Sequence, residues 1–114
     1  MQLLAVAVTA LEITVWPQGI PGNSVHWTLR CGPAAGSLPH AGRACDALAA
    51  GGRDPFRPTP PGAACAAIYG APQVARVTGL YRGRRALATF RRRNGCEIDR
   101  WNRLRSLFPV SLNA

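Results

Sequence analysis

Four cysteines constrain this chain more than any other feature. Cys31, Cys45, Cys65 and Cys96 form an even set in 114 residues that also hold 12 glycines and 10 prolines. A domain of that size closes only a modest core, and cross-links commonly supply the missing stability. Two disulfides and an oxidising, extracellular compartment are therefore expected. Zinc is the competing use of cysteine. No two of the four are near enough for a CxxC knuckle, and His26 and His40 do not stand at a ligand spacing, so no metal and no other cofactor is expected. Four cysteines allow three pairings. Spacing does not choose among them; the local one, Cys31 with Cys45 and Cys65 with Cys96, is the expectation, and by the loop-entropy account each of its closures stabilises by about 3–4 kcal/mol.

The length suits one domain over residues 1–114, and 47% hydrophobic residues with a mean hydropathy of −0.01 place the chain among globular proteins. Its longest apolar run, Leu3 to Leu11, is too short to span a bilayer. No basic residue precedes that run and alternation follows it, so it reads as the first strand of a mature chain, not as the remnant of a secretion signal. All fourteen basic residues are arginine, against five acids, for a net charge of +9. That excess raises the question of a polyanionic partner, although complete use of arginine beside abundant Ala, Gly and Pro also follows from a GC-rich coding bias. Charge alone governs solubility and non-specific contact more than function.

Period-two alternation marks Leu11–Val15 and Ser24–Arg30 as strands, the second with Val25, Trp27 and Leu29 on one face. The Pro-, Gly- and Asn-rich "PQGIPGN" between them predicts an antiparallel hairpin. Ala44, Cys45 and Leu48 stand at helical spacing, and Gly51 and Gly52 end that helix. The run from Arg53 to Ala64 carries four prolines and predicts an exposed, stiff loop. Two strand-like stretches then flank "YRGR", a tight turn in which Gly83 takes positive φ. In "CEIDRWNRLRSLF", Ile98, Trp101, Leu104 and Phe108 form one helical stripe, with Asn94 as cap, Glu97 and Asp99 at the positive end, Asp99 paired with Arg103, and Pro109 as terminator. The whole is an α+β domain, an antiparallel sheet covered on one face by two short helices.

Catalysis finds little support, because Ser, His and Asp are scattered, with His26 on the polar side of a strand and His40 in a loop. Arg82, Arg84 and Arg85 at the hairpin, followed by Arg91, Arg92 and Arg93, offer a basic patch for phosphates. No platform of aromatics accompanies it, so a solvated face is the plainer reading and nucleic acid is not expected. The stretch "PGAACAAIYGAP", Pro61 to Pro72, is the sharper candidate. A segment bounded by prolines and anchored at Cys65 presents Ala66, Ala67 and Ile68 extended, the form in which a protease binds its substrate.

The segments "TALEITV", "TLRCGPAAGSLPHAGRACDAL", "CAAIYGAP", "VTGLYRGRRALATF" and "NGCEIDRWNRL", in that order from Thr9 to Leu104, resemble the Streptomyces-type subtilisin inhibitor family. The resemblance implies the pairing Cys31–Cys45 and Cys65–Cys96, a five-stranded antiparallel sheet with two helices, secretion, and a homodimer formed through the sheet. It also implies substrate-like inhibition of a subtilisin-like serine endopeptidase, without enzymatic activity of the chain's own. Carried across from the cysteine, the contact segment is Ala64, Cys65, Ala66, Ala67, Ile68, Tyr69 and Gly70, with the reactive bond at Ala67–Ile68. Two departures from the pattern, alanine where relatives often have proline at 66 and "GAP" after Tyr69 where some relatives have one residue fewer, keep Ala66–Ala67, one residue earlier, as the alternative bond. The runner-up is a secreted basic module that binds polyanions or nucleic acid through the arginine-rich hairpin.

Overall fold

Alternation sets the architecture. The structure, a computed structural model, describes residues 8–109. Leu11, Ile13 and Val15 point to one side of strand β1, Thr9–Trp16, and all three are buried. The turn-rich segment after Trp16 reverses the chain into β2, Val25–Cys31, with Val15 opposite Val25 and Thr9 opposite Cys31. The other neighbour of β1 is β3, Val74–Tyr81, which continues through a tight turn into β4, Arg84–Phe90. In that turn both Arg82 (φ 50°) and Gly83 (φ 80°) are left-handed, the geometry whose twist matches the flanking strands. The sheet order is β2-β1-β3-β4, antiparallel throughout.

Register places Ile13 opposite Val77 and Val77 opposite Ala88, and likewise Val15, Ala75 and Phe90 in a row, so one face is apolar across three strands. Helix α1, Ala41–Ala50, lays Ala44 and Leu48 on that face and stops at Gly51, with Gly52 at φ 72°. Helix α2, Gly95–Arg103, and a single 3-10 turn, Arg105–Leu107, bring Trp101, Leu104, Leu107 and Phe108 against it. Each such large side chain removed from water stabilises by about 1.5–3 kcal/mol. The cysteines pair as Cys31–Cys45 and Cys65–Cys96, the local pairing.

Four points differ from the sequence-based expectations. The described residues form four strands, not five. The two long connections supply no other: residues 32–40 make a single bridge, Arg30 with Ala35, and residues 51–73 contain Pro55, Pro58, Pro60, Pro61 and Pro72, which lack the donors a ladder needs. The first strand starts at Thr9, and residues 3–7 of the expected strand lie outside the described residues. Asp99 does not pair with Arg103; Glu97 of α2 instead pairs with Arg93, just before the helix, at 3.1 Å. The proline-rich run is not wholly exposed either. Phe56 is buried, edge-on to Tyr81 (centroids 5.6 Å) and to Phe90 (6.5 Å). Arg100 fixes the run by donating to the carbonyls of Phe56 (2.7 Å), Arg57 (2.9 Å) and Thr89 (2.7 Å).

Candidate functional site

Between Pro61 and Pro72 the chain makes neither helix nor strand, and Ala66, Ala67, Ile68 and Tyr69 are all exposed. None of these four side chains is buried, so the shape of the loop depends on what holds its backbone. Three ties do so. The disulfide to Cys96 fixes Cys65, with 5.2 Å between Cα atoms. The Gly95 N–H donates to the Ala66 carbonyl at 2.9 Å, and the Gly70 N–H donates to the Arg92 carbonyl at 2.7 Å. All three partners lie in Arg92–Cys96, which runs from the link after β4 into the first turn of α2. One five-residue splint therefore grips the loop on both sides of Ala67–Ile68.

The splint is itself well fixed. The Asn94 side chain accepts from the Glu97 N–H at 3.0 Å, which caps α2, while the Glu97 carboxylate reaches back to the Arg93 backbone N–H at 3.4 Å and to its guanidinium at 3.1 Å. Hydrogen bonding from Arg93 outweighs partial burial and holds the Glu97 carboxyl below its ordinary range; the same pairing raises Arg93 further. Arg92 lies over the Trp101 ring at 5.9 Å. Burial lowers the Arg100 pKa, although its three backbone acceptors keep the guanidinium hydrogen-bonded.

Close approach of loop and splint demands glycine at two places. A Cβ on Gly95 would meet the Ala66 Cβ at 3.1 Å, and one on Gly70 would meet the Arg92 carbonyl oxygen at 3.0 Å and the Ile98 Cδ1 at 3.1 Å. At the centre the backbone is not evenly extended as expected. The Ile68 N–H donates to the Ala66 carbonyl at 2.8 Å, so Ala67 sits at the apex of a three-residue turn and the Ala66 carbonyl accepts two N–H groups. Ile68 and Tyr69, 56% and 65% exposed, are large apolar side chains turned to solvent beside it.

All seven expected contact residues, Ala64 to Gly70, thus lie on one presented loop. His26 is elsewhere, on the outer sheet face against Glu12 at 3.3 Å, and His40 immediately precedes α1. Among the described residues no three His, Cys, Asp or Glu side chains gather as metal ligands, and no helix is long and apolar enough to cross a membrane. Sequence reasoning missed Arg92 and Gly95 as supports of the loop. The signal available was "NGC", a cap and a glycine directly before the cysteine that anchors it.

A profile of the family described as "Subtilisin inhibitor-like" matches residues 7–93. Sermetstatin of Streptomyces caespitosus, in its crystal structure with Bacillus licheniformis subtilisin, superposes with a TM-score of 0.60 at 25% identity, over 90% of this chain and 99% of that one. A comparison with curated proteins yields no match.

Proposed function

The chain belongs to the subtilisin inhibitor-like family, and on that premise we propose that it inhibits a subtilisin-like serine endopeptidase by offering Ala67–Ile68 as a bond that is cut slowly and resealed. The observation that carries this reading is the splint. The protease serine attacks the Ala67 carbonyl, the oxyanion hole stabilises the tetrahedral intermediate, and the C–N bond breaks to give an acyl-enzyme at Ala67 and a free amine at Ile68. In a flexible peptide that amine diffuses away. Here the acyl side stays fixed through Cys65–Cys96 and the Gly95 N–H, and the amine side through the Gly70 N–H and β3. The amine then attacks the acyl carbonyl at high effective concentration and religation outruns hydrolysis. A loop already held in place also loses little freedom on docking, which favours tight binding over a standard-sized interface.

Both matches describe inhibitors and favour this reading over a polyanion-binding module in its place. Alanine at the primary specificity position suits shallow subtilisin- or elastase-like pockets and leaves the acid of a trypsin-like pocket unpaired. Action outside the cell is supported by the two disulfides. A homodimer through the outer sheet face is supported by Leu80 and Leu87, 40% and 75% exposed opposite the core, and a monomeric mass by light scattering at micromolar concentration would exclude it. The decisive experiment incubates the protein with subtilisin, follows residual activity and sequences the slowly nicked product. A new amino terminus at Ile68 is expected. One at Ala67 moves the bond to Ala66–Ala67, and digestion at the rate of an unstructured peptide with full enzyme turnover refutes inhibition.

A further inference from the structure

At the far end of β4 from the splint, the hairpin tip and the proline-rich run enclose an open cleft of about 610 Å³. Arg82, Arg84 and Arg85 of the hairpin and Arg53 of the proline-rich run line it, together with Phe56 and Tyr81. We propose that this cleft is an anion site for a small ligand carrying two or more linked phosphate groups, separate from the inhibitory loop.

Three observations converge on it. Charge comes first: four arginines and a single carboxylate line the cleft, and that carboxylate, Asp54, already accepts the Phe56 N–H at 3.2 Å through its Oδ1. Among the described residues none of the four arginine side chains makes an ion pair or a hydrogen bond, so their forked donors are available to phosphate oxygens. Rigidity is the second. The Tyr81 hydroxyl donates to the Leu48 carbonyl at 3.2 Å, the Arg82 N–H donates to the Thr9 hydroxyl at 3.0 Å, and the Gly83 N–H donates to the Val8 carbonyl at 2.7 Å. The arginines thus stand on a fixed turn and not on a flexible tail. Residue choice is the third. Arg82 occupies a left-handed position, φ 50°, where hairpins of this type ordinarily place Asn, Asp or Gly, and an unfavourable residue held at such a position points to a use for its side chain.

The two lining rings argue against nucleotide bases. Phe56 and Tyr81 are 9% and 8% exposed, so neither ring offers an open face for stacking, and the phosphate groups themselves carry recognition. Ala88 to Arg91 separate Leu87, the last residue of β4 lining the cleft, from the start of the splint at Arg92, about 16 Å at the usual strand rise, so the cleft is distinct from the inhibitory loop.

Isothermal titration of the intact protein with tripolyphosphate at 50 mM salt tests the site. Saturable 1:1 binding is expected, at least tenfold tighter than orthophosphate or sulfate, weakening at 200 mM salt, and retained in the presence of subtilisin. Arg53→Gln and Arg84→Gln should each weaken it at least tenfold, whereas Arg43→Gln, which removes the same charge from α1, should not. Thermal melts of the variants confirm folding. Absence of binding overturns the proposal, as does equal loss from Arg43→Gln and Arg53→Gln, which would reduce the effect to net charge. Tighter binding of a single-stranded oligonucleotide than of tripolyphosphate also overturns it, in favour of a polymer-binding surface.

Discussion

The two disulfides contribute similar stability but should have opposite importance for inhibition, and this contrast gives the sharpest test. Cys31–Cys45 closes a separation of 14 residues and Cys65–Cys96 one of 31. By loop entropy, removing them as paired Cys→Ser variants costs about 3.0 and about 3.7 kcal/mol respectively. Urea unfolding should therefore show two variants of nearly equal, reduced stability. Only the second frees the acyl side of the reactive bond. With every 1.4 kcal/mol a factor of ten, freedom worth about 3.7 kcal/mol dilutes the resealing ends by up to about 400-fold. Incubated with subtilisin at matched folded fraction, Cys65→Ser/Cys96→Ser should be hydrolysed to completion while enzyme activity returns. Cys31→Ser/Cys45→Ser should keep inhibiting, with at most a few-fold faster nicking. If both variants are consumed at the same rate, tethering through Cys96 is not what protects the bond, and the splint argument fails.

Gly70→Ala forces a Cβ to within 3.0 Å of the Arg92 carbonyl; we expect about tenfold weaker inhibition and faster nicking with an unchanged far-ultraviolet spectrum, and wild-type inhibition would show that this tie is dispensable. Ala67→Lys should gain trypsin inhibition at unaltered stability, because the side chain is exposed and a lysine there meets the pocket acid; an unchanged inhibition profile places the specificity residue elsewhere. Glu97 has a folded pKa below its unfolded value of about 4.3, so its contribution is present above that value and is lost as pH falls through the folded pKa. Glu97→Gln should accordingly cost about 0.5–1 kcal/mol at pH 7, discounted for the partly exposed Arg93 partner, and close to nothing at pH 2; equal losses at both pH values would contradict the assigned pairing.

What was legible in the sequence was local. Alternation located β1 and β2, Gly83 located the hairpin turn, and Asn94 three residues before Glu97 located the start of α2, because each signal lies within a few residues of what it specifies. The loop itself was legible through its prolines and Cys65. What escaped is tertiary. Arg100 reads as one more surface arginine, yet it holds carbonyls 43 and 44 residues away, and Phe56 sits in a run whose prolines suggest full exposure. The grip of Gly95 on Ala66 joins segments brought together only by the fold. The count of five strands came from family likeness and not from any residue pattern, which is why nothing local corrected it.

Every tie on the reactive loop is made by main chain or sulfur, and none by the side chains of residues 66–69. Ala66 packs closely on Gly95, whereas positions 67 to 69 are released from structural duty and form an interchangeable cassette. Selection, or an engineer, can rewrite them for a new hydrolase while the molecule that displays them folds as before.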